Sequence, residues 1–103
     1  MRQFDVFPNP SERSRRIAPL VVIVQSHLLD SLPTVVVAPL LRPAERPAFT
    51  QVGLPVAFNG EDYTCSLAEL SATDAHRLSK SLGSLRDYEY EIRRALDRLF
   101  TGF

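Results

Sequence analysis

The chain has few of the residues from which catalytic and metal sites are usually built. Among 103 residues it has one cysteine, no tryptophan, two histidines and four scattered glycines. A single cysteine excludes an intramolecular disulfide and disfavours a thiolate metal site. Two histidines make a zinc site improbable, and isolated glycines do not form a phosphate-binding loop. The sequence therefore predicts no catalytic residues, no metal site and no cofactor.

Charge and hydropathy argue against a nucleic-acid-binding protein, a membrane protein and a secreted protein. Twelve basic and twelve acidic side chains cancel, so no long-range attraction to nucleic acid is expected. No apolar run approaches the roughly 18 to 20 residues that span a bilayer, and the N-terminus does not resemble a signal peptide. A length of 103 residues is typical of one domain with a single hydrophobic core. We expect a single cytoplasmic domain, residues 1–103, without membrane contact.

Apolar runs separated by turn signals predict a set of short strands. We expect them at residues 3–7, 20–24, 34–40, 54–58 and 63–67. The second of these runs is continuous and apolar, which is typical of a strand buried on both faces. Asn59-Gly60 is the strongest hairpin signal in the chain. Pro39 indicates a strand margin or an edge, since proline cannot donate to the ladder. Residues 67–82 are ambiguous, and their leucine spacing alone slightly favours a helix.

An amphipathic helix is predicted near the end of the chain, at residues 85–99 with Ser84 as its N-cap. Its apolar stripe consists of Leu85, Tyr88, Ile92, Ala95, Leu96 and Leu99. The stripe also favours a core position for Phe100. Gly102 is a natural helix stop and leaves Phe103 free to project. Burial of such a phenylalanine is worth about 1.5 to 3 kcal/mol, which suits a binding anchor. Strands followed by a helix predict an α+β fold.

The remaining polar residues give weak signals for chemistry. Asp74, His76 and Arg77 are close in sequence and could form an acid–base set with a phosphate clamp. Consecutive side chains of a strand point to opposite faces, however, so a solvated polar segment is the favoured interpretation. His27 has no visible partner. Cys65 has no cationic neighbour to lower its pKa, so a buried, inert thiol is expected.

Four segments of the chain resemble the CcdB family, the toxin half of toxin–antitoxin pairs. They are QFDV at 3–6, VQSHLLD at 24–30, VVVAPL at 35–40 and EIRRALDRLFTGF at 91–103. The second is similar to the family's Val-Gln-Ser-x-Ile-Ile-Asp segment, and the last to its final helix and Gly-apolar terminus. The resemblance implies a small, strongly bent antiparallel β-sheet of the SH3-like barrel type with a C-terminal helix, assembled as a homodimer. It also replaces the helical interpretation of residues 67–82 by two strands, the second near residues 73–78.

The resemblance implies a function performed by binding and not by catalysis. Family members bind the A subunit of DNA gyrase, trap the gyrase–DNA cleavage complex, and are neutralised by a cognate antitoxin with which they autoregulate transcription. Contact with DNA is then expected only through gyrase or through the toxin–antitoxin complex. The implied gyrase-binding residues lie in two segments and are Thr101, Gly102, Phe103 and Asp97, together with Gln25, Ser26, Leu28 and Leu29.

Two departures from the family pattern concern this site. Thr101 stands where the family has a tryptophan, and Asp97 where the familiar form has an asparagine. Truncation of an aromatic hot spot typically costs about 2 kcal/mol or more. Weaker gyrase binding or a shifted target is therefore implied, and Phe103, larger than the family's terminal isoleucine, is expected to compensate in part.

Two other functions stay open at the level of sequence. One is an endoribonuclease toxin on the same fold, with His27, Asp74, His76 and Arg77 as candidate groups. The other is a decayed toxin that only binds its antitoxin. Antitoxin tails are often acidic, so the arginines at 13, 15 and 16 are one candidate antitoxin contact, although a solvated loop is the simpler interpretation.

Overall fold

Seven short strands form one curled antiparallel sheet, followed by an α-helix, in the part of the chain that the computed structural model describes, residues 1–45 and 52–102. The elements are β1 (Asp5–Pro8), β2 (Leu20–Ile23), β3 (Thr34–Leu41), β4 (Gly53–Phe58), β5 (Glu61–Ser66), β6 (Ser71–Asp74), β7 (Gly83–Ser84) and α1 (Glu89–Thr101). Short 3₁₀ turns lie at His27–Leu29, Leu67–Glu69, Ala75–Arg77 and Arg86–Tyr88. The α+β small-barrel fold with a C-terminal helix is confirmed.

The sheet curls so that the strands at its two ends approach each other without pairing. Its order is β4-β5-β3-β2-β1-β7, and β6 pairs separately with the first half of β3. Tyr88, just before α1, accepts a hydrogen bond from the Ala57 amide of β4 through its hydroxyl oxygen at 2.9 Å. The ring of Phe58, also in β4, lies directly beside Gly83 of β7. The first and last strands of the order are thus brought together, and the sheet forms a half-barrel.

Alternating side chains give the sheet two apolar faces. The inner face packs against α1, and the cluster between them includes Val6, Val22, Ala38 and Leu40 of the sheet with Ile92 and Ala95 of the helix. A smaller cluster covers the outer face and consists of Phe7, Val21, Ile23, Val35, Val37 and Leu78. Both faces of β2 are therefore buried, as the continuous apolar run predicts.

Pro39 lies inside β3 and not at its margin, because β3 changes partner along its length. Residues 34–37 pair with β6, whereas Leu40 and Leu41 pair with β5. On the other side Pro39 is opposite Val21 of β2. Hydrogen-bonded pairs alternate in an antiparallel ladder. Since Val24 N donates to the oxygen of Val36 at 3.1 Å, the Pro39 nitrogen faces away from β2 and into the gap between β6 and β5. The missing N–H falls where neither strand requires it.

The hairpin between β4 and β5 follows from the local turn residues, whereas the secondary structure of residues 67–82 depends on which strand is available to pair with them. Asn59 and Gly60 have φ angles of +51° and +80°, and they join β4 to β5 as predicted. The strand expected near residues 73–78 is wrong. β6 ends at Asp74, and Ala75–Arg77 is a 3₁₀ turn. Asp74 pairs with Thr34, the first residue of β3, so no partner strand continues beyond that point.

The α-helix begins later than the sequence predicts. Ser84 belongs to β7, and its Oγ accepts a hydrogen bond from Arg86 N at 3.0 Å, which closes a local turn. Leu85 N donates to the oxygen of Phe4 at 2.8 Å, so the chain is still held by the segment before β1 at this position. α1 itself starts at Glu89 after the 3₁₀ turn.

Gly83→Ala is expected to lower the free energy of unfolding by about 2 to 4 kcal/mol. Gly83 has φ +150°, and a Cβ at this position would lie 3.0 Å from the ring of Phe58. Both the backbone conformation and the junction between β7 and β4 therefore oppose a side chain. Chemical denaturation of the purified variant measures the loss.

Gly60→Ala is the matched control for that substitution. Gly60 also has a positive φ, +80°, but a Cβ there meets nothing within 4 Å. We expect a loss of only about 1 kcal/mol, from the left-handed backbone alone. Equal losses for the two variants would contradict the packing argument at Gly83.

Candidate functional site

The turn after β2 presents two leucines to solvent. Leu28 is 83% exposed and Leu29 is 50% exposed. Ser26 holds the turn: its Oγ accepts from Leu28 N at 3.2 Å, and its carbonyl accepts from Leu29 N at 3.0 Å. Gln25 Oε1 accepts from Val36 N at 3.1 Å and fixes the turn against β3. Of the four residues predicted here, the two leucines are exposed, and Gln25 and Ser26 fix the turn that carries them.

The last turn of α1 extends beyond the sheet. Ile92 and Ala95 are fully buried, whereas Leu99, on the same stripe, is 38% exposed. Phe100 is 69% exposed, so the prediction of a core position for Phe100 is wrong. Helical periodicity gives the direction of a side chain but not the point at which the opposing sheet ends. Leu99 and Phe100 are the exposed apolar residues that the sequence reasoning did not assign to the site.

The helix ends at Gly102, as predicted. Gly102 has φ +82°, and its N–H donates to the carbonyl oxygens of Asp97 and Arg98, both at 3.1 Å. Thr101 Oγ1 donates to the Asp97 carbonyl at 2.6 Å, so the hydroxyl is turned back onto the helix. Asp97, Thr101 and Gly102 are exposed. Phe103, which the resemblance includes in the site, lies outside the described residues.

The two predicted groups of site residues lie on separate elements. The side-chain hydrogen bonds of Gln25 and Ser26 stay within their own turn and β3, and that of Thr101 stays within α1. The turn also borders an apolar margin formed by the exposed side chains of Met1 and Leu32. The described residues thus include an apolar surface on the turn after β2 and another at the end of α1.

A groove of about 470 Å³ lies on the outer side of the sheet. Its floor is apolar and consists of Val21, Val37, Pro39 and Leu41. One wall is the loop between β1 and β2, and the other is β6. Arg13 and Arg77 also line it. The sequence reasoning missed this groove because its walls are about 60 residues apart in the chain, and only the pairing of β6 with β3 brings them together.

Arginine side chains fix the loop that forms the first wall of this groove. They donate to backbone carbonyl oxygens, namely Arg15 to Asn9 at 2.8 Å, Arg77 to Pro10 at 3.0 Å and Arg42 to Arg16 at 2.6 Å. These bonds hold the loop in one conformation and leave several positive charges beside the groove. Residues 12–17 of the loop are exposed, as predicted for a solvated loop, and these hydrogen bonds tie its backbone to the rest of the fold beside the groove.

The candidate acid–base residues do not converge. Asp74 ends β6, His76 lies in the 3₁₀ turn that follows, and both are exposed. Arg77 Nη2 donates to the Pro10 carbonyl across the groove wall. Within residues 1–45 and 52–102, no cluster of three or more histidine, cysteine or acidic side chains could hold a metal ion. No helix in the same ranges is long and apolar enough to cross a membrane.

Cys65 is expected to be unreactive in the folded protein. Its side chain is completely buried, as predicted, and burial raises the pKa of the thiol to about 12. With a thiol reagent at about pH 8, the thiolate fraction alone should slow modification by roughly a thousandfold relative to an unfolded thiol. Absorbance of the released chromophore measures the rate. Addition of denaturant should expose one thiol per chain, and rapid modification before denaturation would contradict the burial.

The fold and the two exposed apolar surfaces define a protein suited to binding another macromolecule. The family model described as CcdB protein matches residues 3–102, nearly the whole chain. The chain belongs to the CcdB family, and the resemblance carried by the four segments is confirmed. This places it among the toxins of toxin–antitoxin systems. A comparison with curated proteins gave no match.

Proposed function

We propose that this protein is a toxin that binds the A subunit of DNA gyrase in the cytoplasm and traps the gyrase–DNA cleavage complex. The observation that carries the proposal is the exposed apolar end of α1 in a chain of the CcdB family. An exposed apolar end on a helix whose other face is buried is suited to enter a cavity of a partner. The toxin acts by occupancy and carries out no chemical step.

The helix is a firm support for that end. Ile92 and Ala95 anchor it in the core, and Arg93 Nε pairs with Glu89 Oε2 at 2.7 Å on its exposed side. The buried turns at Ile92 and Ala95 hold the helix in place, and the exposed last turn continues from them. The proposed contact surface combines Asp97, Thr101, Gly102 and Phe103 with the turn that carries Leu28 and Leu29. We further propose that a homodimer brings these two surfaces to one side of the assembly.

A DNA cleavage assay tests the proposal. Purified protein, gyrase, ATP and supercoiled plasmid are incubated, and the products are resolved after protein denaturation and digestion. We expect linear DNA that depends on both gyrase and ATP. If intact protein leaves gyrase cleavage and supercoiling unchanged at concentrations well above those of the enzyme, the proposal is wrong.

A variant that lacks residues 101–103 tests whether this end of the chain is needed for gyrase binding and not for folding. The Thr101 hydroxyl donates to the Asp97 carbonyl of its own helix, and Gly102 is exposed, so the truncated protein should keep its sheet and helix. We expect cleavage to disappear while circular dichroism and dimer mass are retained. Cleavage at wild-type level by the truncated protein would contradict a gyrase contact at this end.

RNA incubation tests the endoribonuclease alternative. The side chain of Arg77 is engaged with the Pro10 carbonyl, and His76 lies in an exposed 3₁₀ turn after the end of β6. We therefore expect no cleavage of RNA. RNA cleavage that is lost in His76→Ala would replace the gyrase proposal by the nuclease function.

The decayed-toxin alternative has a separate test. Thr101→Trp restores the side chain that the family has before the terminal glycine. If wild-type protein is inactive on gyrase and Thr101→Trp poisons it, the chain is a decayed toxin that has kept its fold. Activity of the wild-type protein excludes that alternative.

The proposal includes a cognate antitoxin, and the groove on the outer side of the sheet supports one mode of contact. Its floor is apolar, Arg13 lines it, and the neighbouring loop adds further arginines. This chemistry suits an extended acidic segment with apolar side chains. Arg13→Glu should weaken antitoxin binding by about tenfold at low salt and leave gyrase poisoning intact. Unchanged antitoxin affinity and salt dependence would exclude the groove as the contact.

A further inference from the structure

We infer that Phe100 is the aromatic anchor of the gyrase contact in this chain and takes the role of the indole that Thr101 cannot supply. The inference rests on the proposed gyrase function and assigns a specificity-determining residue to it. Three observations carry it: the exposure of Phe100, the engagement of the Thr101 hydroxyl, and the position of both residues relative to Asp97.

Phe100 presents most of its ring to solvent on the last turn of α1. It is 69% exposed, and the only comparably exposed aromatic residue among those the structure describes is Tyr90, near the other end of the helix. Leu99 beside it is also partly exposed. Together they make the end of α1 an apolar surface with one ring projecting from it. Rings of this kind dominate the binding energy of interfaces when a partner covers them.

Thr101 is poorly suited to the same role. Its Oγ1 donates to the Asp97 carbonyl at 2.6 Å, so the side chain is held along its own helix. What remains to face a partner is a single methyl group. A threonine at this position therefore gives a partner little apolar area to cover, and the phenylalanine ring beside it gives much more.

A side chain at Phe100 leaves the helix in a different direction from a side chain at Thr101. With about 100° and 1.5 Å per residue, Phe100 lies about 80° from the buried Ile92, and a side chain at Thr101 lies about 180° from it. Asp97 falls between these directions, one turn earlier. An anchor at Phe100 thus stays next to Asp97 but reaches a different wall of the partner's cavity. A phenylalanine ring has no N–H, so that wall needs only apolar groups or the flat face of a guanidinium.

The experiment compares gyrase poisoning by Phe100→Ala, Phe100→Leu, Thr101→Ala and Tyr90→Ala in the full-length protein. The readouts are the concentration that gives half-maximal linear DNA, the affinity for the gyrase A subunit, the dimer mass and the thermal midpoint. Phe100→Ala should need at least about tenfold more protein, and Phe100→Leu should fall between it and wild type. Thr101→Ala should lose clearly less potency than Phe100→Ala, and Tyr90→Ala, which lies outside the proposed contact surface, should stay within about threefold of wild type.

Tyr90→Ala is the matched control, because Tyr90 is 66% exposed on the same helix but lies about 15 Å before Phe100 along its axis. Wild-type potency of Phe100→Ala overturns the inference, and so does full potency of Phe100→Leu, since an aromatic ring would then be unnecessary. An equal loss in Tyr90→Ala also overturns it. Dissociation of Phe100→Ala into monomers would overturn it as well, because a second copy would then cover the ring. If wild-type protein itself fails to poison gyrase, the proposed function falls, and the inference with it.

Discussion

The double substitution Leu28→Asp and Leu29→Asp is expected to reduce gyrase poisoning by at least about a hundredfold. Both leucines are exposed on the turn after β2, at 83% and 50%. Their burial against a partner favours binding, whereas two carboxylates at the same place would have to lose their hydration. The turn itself should persist, because Ser26 and Gln25 fix it through the backbone amides of Leu28 and Val36. Titration of linear DNA against toxin concentration measures the effect.

Leu82→Asp is the matched control for that variant. Leu82 is also a partly exposed leucine outside the helix and outside the proposed contact surface. It should retain wild-type poisoning, and both variants should keep the wild-type unfolding midpoint. The double variant should also still bind an antitoxin, if the outer groove is the main antitoxin contact. Full gyrase poisoning by the double variant would remove the turn after β2 from the proposed surface.

Ile92→Ala is expected to cost about 2 to 5 kcal/mol in the free energy of unfolding. Ile92 is completely buried in the cluster that joins α1 to the inner face of the sheet. Its truncation leaves a cavity where the helix is attached, and small domains have a total stability of only about 5 to 15 kcal/mol. Urea denaturation followed by circular dichroism measures the change. Poisoning should fall as well, because the end of α1 loses its support.

Leu99→Ala provides the comparison on the same helical stripe. Leu99 lies two turns after Ile92 but is 38% exposed, so we expect a loss of about 1 kcal/mol or less. The two substitutions remove similar side chains and differ in how far the sheet covers them. Similar losses for both would contradict the description of α1 as a helix whose last turn extends beyond the core.

Features set by neighbouring residues could be predicted from the sequence. Asn59-Gly60 makes its hairpin because both residues adopt positive φ angles, which is a local property. Gly102 stops α1 for the same reason. The continuous apolar run of β2 predicts burial on both faces. Family membership could likewise be inferred, because spaced motifs along the chain carry that information directly.

Features set by distant partners could not be predicted in the same way. Pro39 is tolerated inside β3 because two different strands leave a gap beside it. The start of α1 is delayed because Leu85 is still bonded to Phe4, and the strand expected after Asp74 is missing because β3 has no earlier residues to pair with it. Each outcome depends on which strands are neighbours. Pattern within one segment does not contain that information.

The end of α1 has features that follow from the local sequence and features that depend on tertiary packing. The sequence by itself determined an amphipathic helix, its glycine stop and the threonine that precedes the glycine. Only the tertiary structure decided that Leu99 and Phe100 lie beyond the sheet, where the apolar stripe continues without an opposing surface. Helical periodicity fixes the direction of each side chain, whereas burial depends on how far the packed sheet extends. Among the described residues at the end of α1, the exposed aromatic ring is therefore that of Phe100, which the sequence pattern assigns to the core.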